Sequence, residues 1–269
     1  MSSTGDNVPP GEHPGAPDYS KTTALIFLGI EVVLFLLTAV SAQVVRRTVV
    51  HYCVFFYSAV RIAAFGVRYY ITQGHWDKTL ALIESITLAV GYFTLFLAIS
   101  FLINIWTERL SGLSGVRFAD GRQRQGRMLT TASIAVMTTG AVLAVENPDQ
   151  NTHKYLTYAG IAGLLVVLLF TLMLPVWRRI QQVSHLRKAS YGLSSEVGLG
   201  YLLIFMCLLL AVRMAYSLYV VSNVPSELLL YVWSIVPEII VGYLLVFPVI
   251  LRMFLRDPRA GSSVTQLNV

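Results

Sequence analysis

The sequence predicts an all-α polytopic membrane protein: a bundle of seven transmembrane helices with its N-terminus outside or lumenal and its C-terminus cytosolic. Three observations predict it. Hydrophobic residues make up 55% of the chain and charged residues only 13%, where a soluble domain carries roughly a quarter charged residues. Seven apolar runs, at about 23–44, 49–72, 79–106, 128–146, 154–177, 197–221 and 226–254, are each long enough to cross ~30 Å of hydrocarbon. The basic residues also divide by side. Arg46, Arg47, Arg109, Arg117, Arg122, Arg124, Arg127, Arg178, Arg179, Arg187, Lys188, Arg252, Arg256 and Arg259 fall on one side, and Lys21, Lys78 and Lys154 on the other. The positive-inside rule assigns the richer side to the cytosol. The net charge of +6 is therefore a topology signal, and nucleic-acid binding is not expected.

The elements follow in chain order. Residues 1–22, with Pro9, Pro10, Pro14 and Pro17, read as a disordered tail without the basic and apolar regions of a signal peptide, so the first span is expected to insert itself. The first span carries Glu31. The second carries Arg61 and Arg68, seven residues apart and so on one helix face, and the third carries Glu84. The connection Gly112–Arg127 is the longest and is rich in Gly and Arg. Gln73–Lys78, Asn147–His153 and Asn223–Glu227 are short outer loops. The sixth span carries Arg213. The seventh carries Glu238 directly after Pro237 and ahead of Pro248, two prolines that interrupt it. Residues 23–254 form one transmembrane domain and 255–269 a cytosolic tail.

A repeat runs through these charges. Ala59-Val60-Arg61-Ile62-Ala63, then Glu84, then Val90-Gly91-Tyr92 recurs as Ala211-Val212-Arg213-Met214-Ala215, then Glu238, then Val241-Gly242-Tyr243. The apolar runs after Gly29 and Gly163 match as well, and end at Arg46-Arg47 and Arg178-Arg179. Spans one to three thus parallel spans five to seven in a 3+1+3 arrangement, of the kind parallel repeats take in some transporters. The repeat suggests Arg61–Glu84 and Arg213–Glu238 as ion pairs. At ~1.5 Å per residue from the outer helix ends, Arg68, Glu84, Glu31, Arg213, Arg61 and Glu238 lie progressively deeper, from roughly 6 to 18 Å.

An ionised group inside such runs costs at least ~2.5–3.5 kcal/mol, so intramembrane charges default to a functional reading. Arg61, Glu84, Arg213, Glu238, Arg68 and Glu31, with Tyr216 and Tyr243, form the candidate ligand site, and Tyr69, Tyr70, Tyr92 and Tyr219 can add hydroxyls. Arg68 can instead snorkel outward. The competing reading is a set of ion pairs that only fix helix packing, since buried pairs are weak evidence for stability.

Other chemistries find no support. Cys53 and Cys207 fall within spans, away from any extracellular disulfide. His13, His51, His75, His153 and His185 lie in the tail, at helix ends or in loops, which argues against haem or a metal site. The seventh span has no lysine for a retinal Schiff base, and no Gly-rich phosphate loop or Ser-His-Asp arrangement occurs. No cofactor and no enzymatic activity are expected. Glu108-Arg109-Leu110 resembles the acid-Arg-Tyr triplet of G-protein-coupled receptors. The Asn-Pro-x-x-Tyr and Cys-Trp-x-Pro motifs and the disulfide cysteines of those receptors are missing.

Val212-Arg213-Met214-Ala215-Tyr216-Ser217 with Pro237-Glu238-Ile239-Ile240-Val241 resembles the end of a group of fungal seven-helix integral membrane proteins of unknown function. Those carry Val-Arg-x-x-Tyr in helix six and an acidic residue, often after proline, in helix seven. The likeness covers about the last sixty residues well and spans one to three loosely. Arg46-Arg47-Thr48 replaces the usual His-Gly-containing turn. A weaker likeness is to tobamovirus-multiplication-type membrane proteins, which also place arginine in helix two. Both resemblances imply a fold and a membrane address.

The leading expectation is a receptor-like sensor of a small molecule or lipid, held in an integral multi-pass protein of the plasma membrane or an endomembrane. A cytosolic protein partner would be met through 112–127 and 178–190, and Arg187-Lys188-Ala189-Ser190 resembles a basophilic kinase site. The alternatives are a transporter or lipid translocator built on the two repeats, and a scaffolding membrane protein.

Overall fold

A computed structural model describes residues 20–45, 48–75, 77–114, 121–146, 152–184, 191–222 and 227–255. Every regular element among them is helical: α1 Lys21–Val44, α2 Val49–Ile71, α3 Lys78–Ser114, α4 Gly121–Glu146, α5 Thr152–Ser184, α6 Tyr191–Ser222, α7 over 227–246 and α8 Pro248–Leu255. Most of the N-terminal tail, Arg46-Arg47, the Arg187–Ser190 segment and the C-terminal tail beyond residue 255 lie outside the described residues.

Five helices are long and apolar enough to cross a membrane: α1, α2, Ile86–Gly112 of α3, α5, and Ser195–Val221 of α6. The bent pair α7–α8 makes a sixth if taken as one span, and among the described residues α4 holds a shorter apolar stretch, Met128–Gly140. The described residues therefore give five to six candidate spans against the seven expected, and mark the chain as membrane-embedded.

Caps and turns account for the helix limits. The Thr23 backbone N–H donates to Ser20 Oγ at 3.5 Å, an N-cap. At the α1–α2 turn the Thr48 N–H donates to His51 Nδ1 at 3.2 Å, and His51 Nε2 lies 3.4 Å from Ser41 Oγ. This buried histidine fastens one helix to the next. After α2 the Gly74 N–H donates to the Ile71 carbonyl at 3.0 Å, with φ at 93°, a left-handed conformation open to glycine at no steric cost.

Prolines shape the later helices in two ways. A proline within a helix lacks an N–H, and its ring crowds the carbonyl four residues back. In α5 the helix widens to π geometry over Val167–Met173, just ahead of Pro175, and the Leu174 N–H reaches the Leu169 carbonyl. The same occurs in α7, where π segment Tyr231–Ile235 precedes Pro237 and the Val236 N–H reaches the Tyr231 carbonyl. At Pro248 the helix breaks. Phe247 is extended (φ −60°, ψ 116°), as the residue before proline prefers, and α8 turns 58° from α7. The interruptions expected at Pro237 and Pro248 are thus a π bulge and a break, and Pro175 adds another bulge.

Leu95, Ile99, Leu102 and Trp106 of α3 are fully buried in one apolar cluster with Leu203, Met206, Cys207 and Leu210 of α6. Helix α4 lies on α5, where a Cβ at Gly160 would stand 2.7 Å from the Met137 backbone nitrogen. Several helices outrun their apolar segments. α3 continues to Ser114, α4 starts at Gly121, α5 ends at Ser184 and α6 starts at Tyr191. Much of 112–127 and 178–190, expected as loops, is therefore helical, because Arg, Gln, Leu and Met propagate a helix well outside the hydrocarbon.

Candidate functional site

The inner charge cluster is assembled by α1, α2, α3, α6 and α7. Glu238, fully buried on the turn after Pro237, is shared by two arginines. Its Oε1 accepts from Arg213 Nε at 2.5 Å, and its Oε2 pairs with Arg61 Nη2. Arg61 has a side chain 2% exposed and lies 5.5 Å from the Tyr57 ring centre. Its Nε has no hydrogen-bond partner among the described residues and faces Gly91, where a Cβ would come within 3.4 Å.

Arg213 is set differently. Its side chain is 12% exposed. Its guanidinium lies 4.6 Å from the Tyr92 ring centre, and Nη1 donates to Ser217 Oγ at 2.7 Å. Nη2 makes no hydrogen bond among the described residues. Glu31 on α1 is fully buried. Its Oε1 accepts from the Tyr57 hydroxyl at 3.3 Å, and its Oε2 has no partner among the described residues. The Tyr243 hydroxyl donates to the Ile30 carbonyl at 3.3 Å, which holds α7 against α1 beside Glu31.

A second, separate cluster sits nearer the α2–α3 turn. Arg68 Nε donates to Glu84 Oε1 at 2.6 Å and Nη1 to the Tyr231 hydroxyl at 3.2 Å. The guanidinium lies 5.7 Å from the ring centres of Phe65 and Tyr231, and Phe27 stacks on Tyr231 at 4.4 Å. This aromatic enclosure keeps Arg68 buried, so it does not snorkel.

The Arg61–Glu84 pairing that the repeat suggests is therefore corrected. Helices α2 and α3 run antiparallel from a short turn, so Glu84, near the start of α3, comes level with Arg68 near the end of α2. Arg61, two turns deeper, comes level with Gly91 and Glu238 instead. Of the tyrosines, Tyr92 and Tyr243 join the inner cluster. Tyr216 stacks on Tyr219 at 6.0 Å and its hydroxyl has no partner among the described residues. Tyr70 stacks on His75, and Tyr69 lies under Lys21.

Tyr57, Tyr231 and Ser217 complete these sites without having been singled out in the sequence. Tyr57 stands four residues before Arg61 and Ser217 four after Arg213, the spacing that puts side chains on one helix face, whereas Tyr231 reaches Arg68 from another helix. At the other end of the bundle Arg109 of α3 pairs with Glu196 of α6 and donates to the Met253 carbonyl of α8. The Trp106 Nε1–H donates to the Glu196 carbonyl at 2.8 Å. The Glu108-Arg109-Leu110 segment thus ties three helices together.

The inner cluster presents fixed guanidinium donors and phenol hydroxyls, the groups that hold an anionic or polar molecule by charge-assisted hydrogen bonds. No group of three His, Cys, Asp or Glu side chains placed to hold a metal occurs among the described residues. Comparisons with protein-family models, with curated proteins and with solved structures find no match, so the likeness to the fungal seven-helix group rests on the residues quoted for it.

Proposed function

We propose that the chain is a receptor-like sensor, seven spans with the N-terminus outside, whose Arg213 guanidinium binds a small molecule or lipid headgroup bearing a carboxylate or phosphate. In this reading α4 supplies the remaining span, packed against α5. The observation that carries the proposal is the unequal sharing of Glu238. Arg61 already neutralises that carboxylate in a buried pair, while Arg213 is partly exposed with Nη2 unused. An acid approaching the Nη1–Nη2 edge would replace Ser217 and make the bidentate contact that arginine favours, with Glu238 still on Nε.

The test is thermal unfolding of the full chain in nanodiscs with succinate, citrate or inorganic phosphate, and separately in discs containing phosphatidic acid. A saturable rise in unfolding temperature with one of these, lost in Arg213→Gln, supports the site and tells a soluble acid from a lipid headgroup. No rise with any, or a rise that survives Arg213→Gln, overturns it. The 58° break between α7 and α8 favours transport as a second reading, since broken helices line many transport sites. Accumulation of the stabilising acid in proteoliposomes would select transport over sensing.

A further inference from the structure

We propose that Glu31 is a proton-binding site, an exchangeable carboxylic acid whose state decides how Arg61 is divided between Glu31 and Glu238. Glu31 has no solvent exposure. A carboxylate has about four acceptor positions to fill, and here the Tyr57 hydroxyl fills one while Oε2 has no partner among the described residues. A buried carboxylate so poorly supplied is costly, and a bound proton removes most of that cost. Arg61 lies over the ring of Tyr57, whose hydroxyl donates to Glu31, but spends its ion pair on Glu238. The geometry is that of an acid beside a guanidinium that has a better partner.

Of the titratable and charged groups on α2 and α7, those placed around Glu31 among the described residues are Tyr57, Arg61, Glu238 and Tyr243. Tyr57 donates to Glu31, Tyr243 is bound to the Ile30 carbonyl, and Glu238 holds Arg61 and Arg213. The proton sits on Oε2, since Oε1 already accepts from Tyr57. When the O–H bond breaks the proton leaves to solvent and its electron pair stays on Oε2. The new negative charge then draws Arg61, whose Nε is unpartnered, toward α1. Glu238 is left to Arg213 alone. Proton release at Glu31 thereby changes the charge that an acid meets at Arg213, which couples protons to the proposed ligand site.

Infrared spectroscopy of the full chain in nanodiscs tests this with no ligand present, so its failure is distinct from failure of the ligand proposal. Wild type is expected to show a protonated-carboxyl C=O band that shifts in D2O and fades as pH rises. The band should be missing from Glu31→Gln and shifted to higher frequency in Tyr57→Phe, where the hydrogen bond to the carboxyl is lost. Glu31→Asp covers the case in which Glu31→Gln does not fold, and it should move the band while keeping it. A protonated-carboxyl absorption that is the same in wild type and Glu31→Gln, or that is unmoved in Glu31→Asp, overturns the assignment.

Discussion

Arg68 and Glu84 pair with each other, while Arg61 and Arg213 share Glu238, and this difference governs what each substitution does. Arg68 and Glu84 are buried, and Arg68 also donates to the Tyr231 hydroxyl. Breaking this buried pair from one side, with Arg68→Met or Glu84→Gln alone, should cost about 3–5 kcal/mol. The double variant should recover most of that loss in an unfolding titration. Single variants no less stable than the double would show that the pair is not closed. The depth order of the charges, readable from helix ends at ~1.5 Å per residue, already places Arg68 beside Glu84 and Arg61 beside Glu238. The repeat, followed literally, gave Arg61 to Glu84, because matching segments do not carry the same offset within two different hairpins. Tyr57 was legible in principle, four residues before Arg61 on the same face. Its hydrogen bond to Glu31 was not, since it depends on how α1 is rotated against α2.

At the scale of the element, prolines and glycines decide where helices widen, break or touch. The sequence marked Pro237 and Pro248 as interruptions, yet not that one would be absorbed as a π segment and the other as a 58° break. That choice turns on whether the preceding turn can accept a longer hydrogen bond. At Pro237 the Val236 N–H does so, whereas Phe247 is driven into extended geometry. Glycine spacing carries a sharper expectation. Gly160→Ala places a Cβ against the Met137 backbone, which cannot swing away, and should cost roughly 1–3 kcal/mol. Gly66 has nothing within 4 Å, so Gly66→Ala should be neutral or gain up to ~1 kcal/mol of helix propensity. If both variants unfold alike in bicelles, the close approach of α4 to α5 is absent.

For the whole molecule, low charge content, long apolar runs and one-sided basic residues were sufficient to read a membrane-embedded helical bundle. They were less informative about the number of spans: among the described residues α4 shows an apolar stretch at Met128–Gly140, and it lies against α5 at Gly140, Gly160 and Gly163. Glu238 joins the two arms of the bundle, drawing α2 and α6 onto α7, while the Arg109–Glu196 pair and the Met253 carbonyl close the opposite end. Arg61 and Arg213 converge on one carboxylate, and the proposed ligand site requires that Arg213 be dispensable for stability. The most direct measurement is therefore the unfolding free energy, in nanodiscs without ligand, of Arg213→Gln beside Glu238→Gln. Glu238→Gln leaves Arg61 and Arg213 without their shared acid and should lose about 3–5 kcal/mol. Arg213→Gln leaves the Arg61–Glu238 pair intact and should lose clearly less than Glu238→Gln. Equal and large losses would contradict the account, and would make Arg213 part of the frame rather than a group held ready for a ligand.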